Sequence, residues 1–394
     1  MSMLRVHQAL PAAPLCATTA LLATLAACGG GGMGTSPMSM ANSVMGSGSM
    51  TSGSMDTSCM GMGMSCPTPT IAIMPPAGTV SRTVTLRAQV NLMQSEMPRV
   101  DFMVDGTRVG TTHGETSGVS WDSTTVNDGA HTLTATLSDS LGQTASASPV
   151  TIEVDNHPVF TVALSPAQIV PAPASAGSGT AHLSVDLGSG AVSGSVMLSG
   201  ITATAVTLNA AFAGDSGPAL VSVSPGAGGN AWQVPAGALL TADQVTALLQ
   251  GGLYVMASTA AHPGGELRGQ ITPTNVMVNF SAMSGAQEVP AVTINAAGVV
   301  ATTVDTVANT LTVHVHSTGV DDASAADIDD GATGATGPQL AALTKDDIDP
   351  GHWSTQLAAV SATDIAAFKA SNWYVNVMTP ADPQGAIRGQ IELR

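Results

Sequence analysis

Charged residues are scarce in this chain. Only 9% of its 394 residues are charged, and ten lysines and arginines stand against 27 aspartates and glutamates. The formal net charge of −17 argues against nucleic-acid binding, because no basic stripe is present to replace phosphate counterions. Cation binding or simple solubility is the natural interpretation of such acidity.

Aromatic residues are also rare, at 3%, whereas glycine occurs 43 times among many alanines, serines and threonines. This composition favours compact all-β modules over an enzyme with a large mixed core. At roughly 150 residues per domain, the length predicts two to four domains.

Long apolar runs are missing after the N-terminal segment, so no transmembrane helix is expected in the rest of the chain. The N-terminal segment itself is different. Arg5 is the only charged residue among the first 28, and a largely apolar stretch runs from about Leu10 to Ala27. A basic start, an apolar middle and a small-residue end predict a secretory signal peptide over residues 1–27.

The end of that stretch, Leu25-Ala26-Ala27-Cys28, resembles a bacterial lipobox. The resemblance implies that Cys28 is lipidated and anchors the mature protein in a membrane. Gly29, rather than Asp, follows the cysteine, which by the same resemblance favours the outer membrane, on its periplasmic face or at the cell surface. An ordinary cleaved signal or an uncleaved anchor is the alternative.

Cysteine is rare, with four in the chain, and two of them enclose the run CMGMGMSC. It ends a segment, residues 28–68, of mostly Gly, Ser and Met, which we expect to be a disordered tether because it cannot bury enough apolar surface. Its sulfur side chains are Met33, Met38, Met40, Met45, Met50, Met55, Cys59, Met60, Met62, Met64 and Cys66. Thioethers and thiolates select Cu(I), so copper binding is one hypothesis. A plain linker with a small disulfide loop is the other.

Residues 69–156 contain short β runs separated by turn signals. TVTLRAQV alternates, and Asp105-Gly106 and Asn127-Asp128-Gly129 are tight-turn sequences. With Trp121 in the middle, this order resembles bacterial immunoglobulin-like domains of surface proteins. The resemblance implies a seven-stranded sandwich, which we expect to act as a spacer.

The remaining sequence is a tandem duplication. AHPGGELRGQI at 261–271 returns as ADPQGAIRGQI at 381–391, and the chain's two tyrosines, Tyr254 and Tyr374, match at the same offset of 120 residues. Each copy contains alternating strands and one short helix candidate. The helices are predicted to begin at capping boxes, Thr241 to Gln244 and Ser361 to Asp364.

Both copies resemble CHRD domains, the module first described in chordin and found in many exported bacterial proteins. The resemblance rests on Gly285-Ala-Gln-Glu-Val-Pro290, which matches an early G-x-Q-E-V-P-P pattern, and on His262 to Ile271, which matches the closing H-P-G-G-E-I-R-G-Q-I. It implies two tandem β-sandwich domains, at 157–273 and 275–394. The whole chain is therefore expected to be all-β, with an Ig-like sandwich before the two CHRD domains.

The histidines of the CHRD pattern are replaced in this chain. The family's His-x-His, which looks like a metal-type cluster, is Thr207-Leu-Asn209 in the first copy and Asp327-Ile-Asp329 in the second. The histidine of its Val-His-Thr is likewise replaced, by Ser258 and by Met378. We expect the first copy to be metal-free.

The second copy leaves three alternatives open. If the strand with His314 and His316 pairs beside the strand with Asp327 and Asp329, a His2Asp2 site for zinc or Cu(II) could form, with Met378 as a further ligand. A calcium site is the second alternative, because five aspartates cluster within ten residues: Asp321, Asp322, Asp327, Asp329 and Asp330. The third is an exposed aspartate-rich turn with no metal.

The repeated closing motif is interpreted as having a structural and not a catalytic role. Its small residues allow close backbone packing, and its two arginines could form a fixed ion pair or cap loop carbonyl groups. The residues assigned to this structural motif are Tyr254, His262, Gly265, Arg268, Gly269, Tyr374, Gly385, Arg388 and Gly389.

The sequence predicts a protein that is not an enzyme. It lacks a nucleophile elbow and a glycine-rich phosphate loop, and a superoxide dismutase-like site would need the imidazoles that are replaced here. Two hypotheses remain. One is an envelope-anchored lipoprotein whose CHRD domains bind an unknown protein or envelope partner, or stabilise the envelope. The other is a periplasmic or outer-membrane protein that handles copper through its tether.

Overall fold

A computed structural model describes residues 69–91, 98–114, 118–139 and 143–393. The predicted signal peptide, Cys28 and the Met/Cys tether lie outside the described residues. Within the described ranges, no helix is long and apolar enough to cross a bilayer. This part of the chain is mostly β-structure, as the sequence predicted.

The first region is a sandwich of two antiparallel sheets. Its strands are β1 Thr70–Met74, β2 Thr83–Asn91, β3 Arg99–Val104, β4 Thr107–His113, β5 Gly118–Asp122, β6 Gly129–Ser138, β7 Thr144–Ser146 and β8 Val150–Val154. β1, β2 and β5 form one sheet; β4, β3, β6 and β7 form the other, in which β8 also pairs with β6. The inward residues of both sheets, such as Leu86 and Phe102, share one core with Trp121. The described residues thus contain eight strands, one more than expected.

The turn predicted at Asp105-Gly106 joins β3 to β4. Both residues have positive φ angles, 48° for Asp105 and 77° for Gly106. A two-residue hairpin loop of this kind requires the left-handed conformation at both positions, which aspartate and glycine tolerate better than other residues. The dipeptide therefore fixes the register of this hairpin.

The first repeat copy is a β-structure with one helix. Its elements are β9 Val159–Leu164, β10 Ser178–Val185, β11 Val192–Ser199, β12 Ala203–Ala210, β13 Ala219–Pro225, β14 Ala231–Gln233, α1 Ala242–Leu249, β15 Leu253–Thr259 and β16 Leu267–Gln270. The strands lie in the order β16-β15-β12-β13-β14-β11-β10-β9. A backbone bridge between Ser165 and Arg268 brings the two ends of this order together.

The second repeat copy has corresponding strands, and its order opens at a different point. Its elements are β17 Val276–Ser284, β18 Ala297–Asp305, β19 Thr310–Thr318, β20 Ala325–Asp330, β21 Gln339–Ala342, β22 Thr344–Lys345, β23 His352–Leu357, α2 Ala362–Lys369, β24 Trp373–Met378 and β25 Ile387–Ile391. The order is β21-β20-β24-β25-β17-β18-β19-β23-β22. Ser284 pairs with Arg388 where Ser165 meets Arg268 in the first copy.

Each helix begins at the capping box that the sequence predicted. The Thr241 side chain accepts a hydrogen bond from the backbone N–H of Gln244, and Ser361 does the same for Asp364. At eight residues each, these helices are too short to be stable alone, so packing must hold them. Ile365 and Phe368 of α2 provide that packing in the second copy.

The pairing of the histidine strand with the aspartate strand, which a His2Asp2 site would require, is not formed. β19, which contains His314 and His316, pairs with β18 and β23. β20, which contains Asp327 and Asp329, pairs with β21 and β24. The chain crosses to the far end of the sheet between these two strands, so four strands separate them and the proposed His2Asp2 ligand set is not brought together.

Candidate functional site

The last strands of each copy carry two rows of polar or long side chains. These side chains lie on the face opposite the apolar core, because alternate residues of a strand point to opposite sides. The rows of the second copy are Asp327, Asn376 and Arg388, and then Asp329, Tyr374 and Gln390. Those of the first copy are Thr207, Met256 and Arg268, and then Asn209, Tyr254 and Gln270.

The guanidinium group of Arg388 is buried in this face. One terminal nitrogen donates to the carbonyl of Ala335 at 2.7 Å, and the other donates to that of Ala332 at 3.1 Å and to Gln390 Oε1 at 2.6 Å. Its Cζ lies 3.5 Å from the ring centroid of Tyr374. Burial lowers the pKa of Arg388 from its usual value. Of the two roles considered for this arginine, it caps loop carbonyl groups.

Arg268 makes the same contacts 120 residues earlier. It donates to the carbonyls of Asp215 and Phe212, the latter at 2.8 Å, and to Gln270 Oε1 at 2.8 Å. Its Cζ lies 3.7 Å from the ring centroid of Tyr254. Burial lowers the pKa of Arg268 to about 10, so the side chain still carries its charge at neutral pH. The capped loops thus correspond position by position in the two copies.

The glutamine of the closing motif is an essential part of this network. Gln390 receives the Arg388 bond through Oε1 and donates through Nε2 to the carbonyls of Gly331 and Ser371, both at 3.0 Å. Its backbone N–H donates to Gln287 Oε1 at 3.0 Å. Gln270 and Gln168 form the equivalent bond at 2.8 Å. We call the Arg–Tyr–Gln contacts in each copy the arginine lock.

The glycine after each arginine permits close packing. A Cβ atom on Gly269 would lie 2.6 Å from the backbone oxygen of Ala163, and one on Gly389 would lie 2.7 Å from Met283 Cγ. The neighbouring positions Leu267 and Ile387 are fully buried in the two cores. This glycine therefore lets β16 or β25 lie against the neighbouring β9 or β17.

His262 contributes to its turn through the backbone. Its N–H donates to Thr259 Oγ1 at 3.2 Å, and its carbonyl accepts from Gly265 at 3.1 Å. In the second copy Asp382 makes the same two bonds, with Thr379 and Gly385. The side chain at this position can differ because the turn does not use it.

The second copy has a group of buried oxygen atoms beside its arginine lock. Three of them, Asn376 Oδ1, Glu288 Oε1 and Asp327 Oδ1, accept no hydrogen bond from any described residue. Asn376 Oδ1 and the other Glu288 carboxylate oxygen face each other across Gly385, each 2.5 Å from where a Cβ of that glycine would lie. We call Glu288, Asp327 and Asn376 the oxygen pocket.

The carboxyl groups of this pocket have unusual acidity. Burial raises the pKa of Glu288 to about 7, against a smaller lowering effect of Arg388. Burial also raises the pKa of Asp327 to about 7, with a further contribution from the neighbouring Asp329. The pKa of Asp329 is raised by burial as well, while its bond to Tyr374 and the charge of Arg388 act in the opposite direction. Negative charge is therefore costly here without a positive partner.

Comparison with known protein families assigns both repeat copies to one domain family. The profile of the CHRD domain matches residues 160–271 and again 280–391. The chain belongs to the CHRD domain family. A bacterial Ig domain profile matches residues 69–135. Domains of these two families are typically non-catalytic modules, and they suggest binding or structural roles.

Other comparisons add little to the family assignment. A search of curated proteins finds no match to this chain. A solved structure reported as "Structural insight into host cell surface retention of a 1.5-MDa bacterial ice-binding adhesin" is 15% identical, with a TM-score of 0.20; the similarity covers 82% of this chain and 96% of that one. A similarity of this size shows neither a shared fold nor a shared function.

The first CHRD domain fills the place of the oxygen pocket with other side chains. Ile169 stands where the second domain has Glu288, and Met256 stands where it has Asn376. A Cβ on Gly265 would lie 2.8 Å from Met256 Sδ and 3.2 Å from Ile169 Cδ1. The two domains therefore share the arginine lock but differ in chemistry beside it.

The two histidines of β19 form a stack with a third histidine, His352 of β23. The rings of His314 and His316 lie 5.5 and 4.5 Å from that of His352 and are nearly parallel to it. His316 Nε2 donates to the carbonyl of Gly214 in the first CHRD domain at 2.8 Å. His314 Nδ1 and His352 Nε2 lie 3.2 Å apart, within hydrogen-bond distance, while His316 Nε2 is bonded to Gly214. The three rings therefore form a hydrogen-bonded stack.

The remaining residues considered as metal ligands are dispersed. Asp321 and Asp322 are exposed, Asp330 is half-buried at the end of β20, and Met378 is half-buried opposite Ala325. In the part of the chain that the structure describes, no group of three or more His, Cys, Asp or Glu side chains is arranged to hold a metal ion. The aspartate run thus does not act as one ligand set.

Glu288, Asn376 and the glutamines of the early and closing motifs were not recognised as site residues from the sequence. Glu288 and Gln287 lie in the early G-x-Q-E-V-P-P motif, and Asn376 lies beside Tyr374 in Trp-Tyr-Val-Asn. The available signal was the repetition of Gln in both motifs of both copies. The partner of each Gln is about a hundred residues away, which no local pattern reveals.

Proposed function

We propose that this chain is a non-enzymatic lipoprotein anchored in the bacterial envelope, whose CHRD domains act as binding or structural modules. The arginine lock is the observation that carries the proposal. The polar residues that recur in both domains are used for internal hydrogen bonds, so the repeated motif maintains a scaffold instead of presenting reactive groups. The scaffold then displays a different set of side chains in each domain.

The lipid anchor rests on the sequence pattern before Cys28. A basic start, an apolar stretch and Leu-Ala-Ala-Cys together are typical of exported lipoproteins, and Gly29 favours the outer membrane. A bacterial Ig domain as the first module agrees with a location at the cell surface or in the envelope. The partner is the membrane together with an unidentified protein or envelope component, and the acidic charge disfavours nucleic acid.

Metabolic labelling with a palmitate analogue, followed by membrane fractionation, tests this proposal. The full chain is expressed in a Gram-negative host as wild type, as Cys28→Ser and as the matched control Cys16→Ser, whose cysteine lies in the predicted signal peptide. Label and outer-membrane recovery should be present in the wild type and in Cys16→Ser but absent from Cys28→Ser. Label that persists in Cys28→Ser would exclude this anchor.

Copper handling by the tether is a second candidate function. It is favoured by the run CMGMGMSC and by the six further methionines before it, which are soft ligands suited to Cu(I). A competition titration of the full chain with a Cu(I) chelator would compare wild type with a variant in which Met60, Met62 and Met64 become Leu and Cys59 and Cys66 become Ser. Equal copper uptake by both would remove the run CMGMGMSC from consideration.

A further inference from the structure

The oxygen pocket of the second CHRD domain consists of hydrogen-bond acceptors. Glu288 and Asn376 are each more than nine-tenths buried, and each has a side-chain oxygen that accepts no bond from the described residues. The orientation of the Asn376 amide is fixed, because its Nδ2 donates to the carbonyl of Gln384 at 3.0 Å. Its Oδ1 therefore faces the carboxylate of Glu288 across Gly385.

We propose that Glu288, Asp327 and Asn376 form a binding site for a calcium ion in the second CHRD domain. Glu288 and Asn376 meet at Gly385, and Asp327 stands opposite Asn376 across the paired strands β20 and β24. Buried polar atoms in proteins are normally paired, so three neighbouring acceptors without a donor among the described residues indicate a ligand with positive charge. A water molecule can donate to such oxygens but cannot neutralise their charge. The assignment does not depend on the lipid anchor proposed above.

The nearest positive side chain does not satisfy these oxygens. Arg388 lies beside the pocket, but its terminal nitrogens already donate to the carbonyls of Ala332 and Ala335 and to Gln390. Against this single positive charge stand the carboxyl groups of Glu288, Asp327, Asp329 and Asp382, which interact electrostatically with one another or with Arg388. When all four are ionised, the balance is three negative charges, which a divalent cation reduces to one.

The donor set selects the kind of ion. Two carboxylates and an amide oxygen are hard ligands, which suit Ca²⁺ and lack the imidazole or sulfur that zinc and copper prefer. The proposed site has only two acidic ligands, Glu288 and Asp327, and the amide oxygen of Asn376 is the third ligand. Asp327 is only half-buried, so the pocket reaches solvent on its side and leaves room for water ligands.

The first CHRD domain provides an internal comparison. There Ile169 and Met256 occupy the space that a Cβ of Gly265 would enter, as Glu288 and Asn376 do at Gly385. The arginine lock beside them is unchanged. The acidic character of the pocket is thus not needed for the lock and belongs to the second domain alone.

Calcium titration of the purified full chain tests the assignment. The protein is treated with EDTA, dialysed at pH 8 and titrated with CaCl₂ in a calorimeter. We expect one bound ion per chain and a rise in melting temperature of several degrees at saturation. The variant Glu288→Ile with Asn376→Met, which introduces the residues of the first domain, should lose both effects. Zinc should bind more weakly than calcium.

A control variant removes acidity elsewhere in the same domain, two carboxylates against the one that the double exchange removes. Asp321→Asn with Asp322→Asn changes two exposed carboxylates of the same domain and should bind calcium like the wild type. Glu288→Gln, which keeps the shape of the side chain, should weaken binding at least tenfold even if the double exchange fails to fold. No binding by the wild type at 10 mM CaCl₂, or equal binding by Glu288→Gln, would overturn the proposal.

Discussion

Arg388 lies over the ring of Tyr374, with 3.5 Å between its Cζ and the ring centroid, and Arg268 lies over Tyr254 at 3.7 Å. The Tyr374 hydroxyl in turn accepts from the backbone N–H of Gly337, in the loop that Arg388 caps. A cation stacked on an aromatic face and bonded to carbonyl groups is held in one geometry. This arrangement explains why the motif recurs in a chain with so few positive charges.

Arg388→Lys should therefore destabilise the second domain. An ammonium group cannot keep the stacked plane or bond to all three acceptors, so buried loop carbonyls lose their donors. We expect a loss of about 2 to 4 kcal/mol in the free energy of unfolding, measured by chemical denaturation. Arg108→Lys changes an exposed arginine and should cost less than about 0.5 kcal/mol. Equal effects of the two substitutions would contradict the structural role of the lock.

The glycines of the two closing motifs should differ in their tolerance of alanine. At Gly269 the new Cβ would meet the backbone oxygen of Ala163, which cannot move independently, whereas at Gly389 it would meet the flexible side chain of Met283. We expect Gly269→Ala to cost about 2 to 3 kcal/mol and Gly389→Ala about 1 kcal/mol. Gly264→Ala, where a Cβ meets no atom within 4 Å, is the control. The reverse order in thermal unfolding would refute this packing.

Acid should destabilise the protein through His314. Burial lowers its pKa to about 4, with further lowering by His352, His316 and Arg268 and an opposing effect of Asp215. Because the unfolded chain takes up this proton near pH 6.5 and the folded chain does not, stability falls as pH decreases from 6.5 to 4. The loss is about 2 to 3 kcal/mol for this group.

The comparison of wild type with His314→Phe isolates this effect. Phenylalanine keeps the stack on His352 but has no proton to take up, so the variant should lose less stability between pH 6.5 and 4. The carboxyl groups that face the stack, including Asp346 beside His352, are unchanged in the variant. Glu288 and Asp327 have raised pKa values, so they increase stability as pH falls, and this contribution is the same in both proteins. His182→Gln changes an exposed histidine and serves as the control. An unchanged pH slope in His314→Phe would contradict the prediction.

The repeat, the family and the secondary structure could be predicted from the sequence because they depend on local patterns. Alternating residues marked the strands, Asp105-Gly106 marked a hairpin, and Thr241 and Ser361 marked the helix starts. Each of these features is decided by residues close together in the chain.

The candidate site could not be predicted because it depends on the order of strands within the sheet. The sequence left open whether His314 lies near Asp327, thirteen residues later, and four strands separate β19 from β20 in the sheet. Conversely, Glu288 and Asn376 are far apart in the chain and meet across Gly385. The two domains have similar strand and turn patterns but different side chains at this place, so only the fold shows which residues meet.

The central claim is that the oxygen pocket is a binding site built on the scaffold and not part of what stabilises it. Replacing the pocket residues by those of the first domain tests this claim most directly. In the variant Glu288→Ile with Asp327→Thr and Asn376→Met, buried acceptors without donors are removed while the lock stays intact. At pH 8 with EDTA, the melting temperature should rise by about 3 °C or more, because unpaired buried polar groups are costly. The reciprocal pair Ile169→Glu with Met256→Asn should lower it. A lower melting temperature in the first variant would show that the pocket stabilises the scaffold and is not a site built upon it.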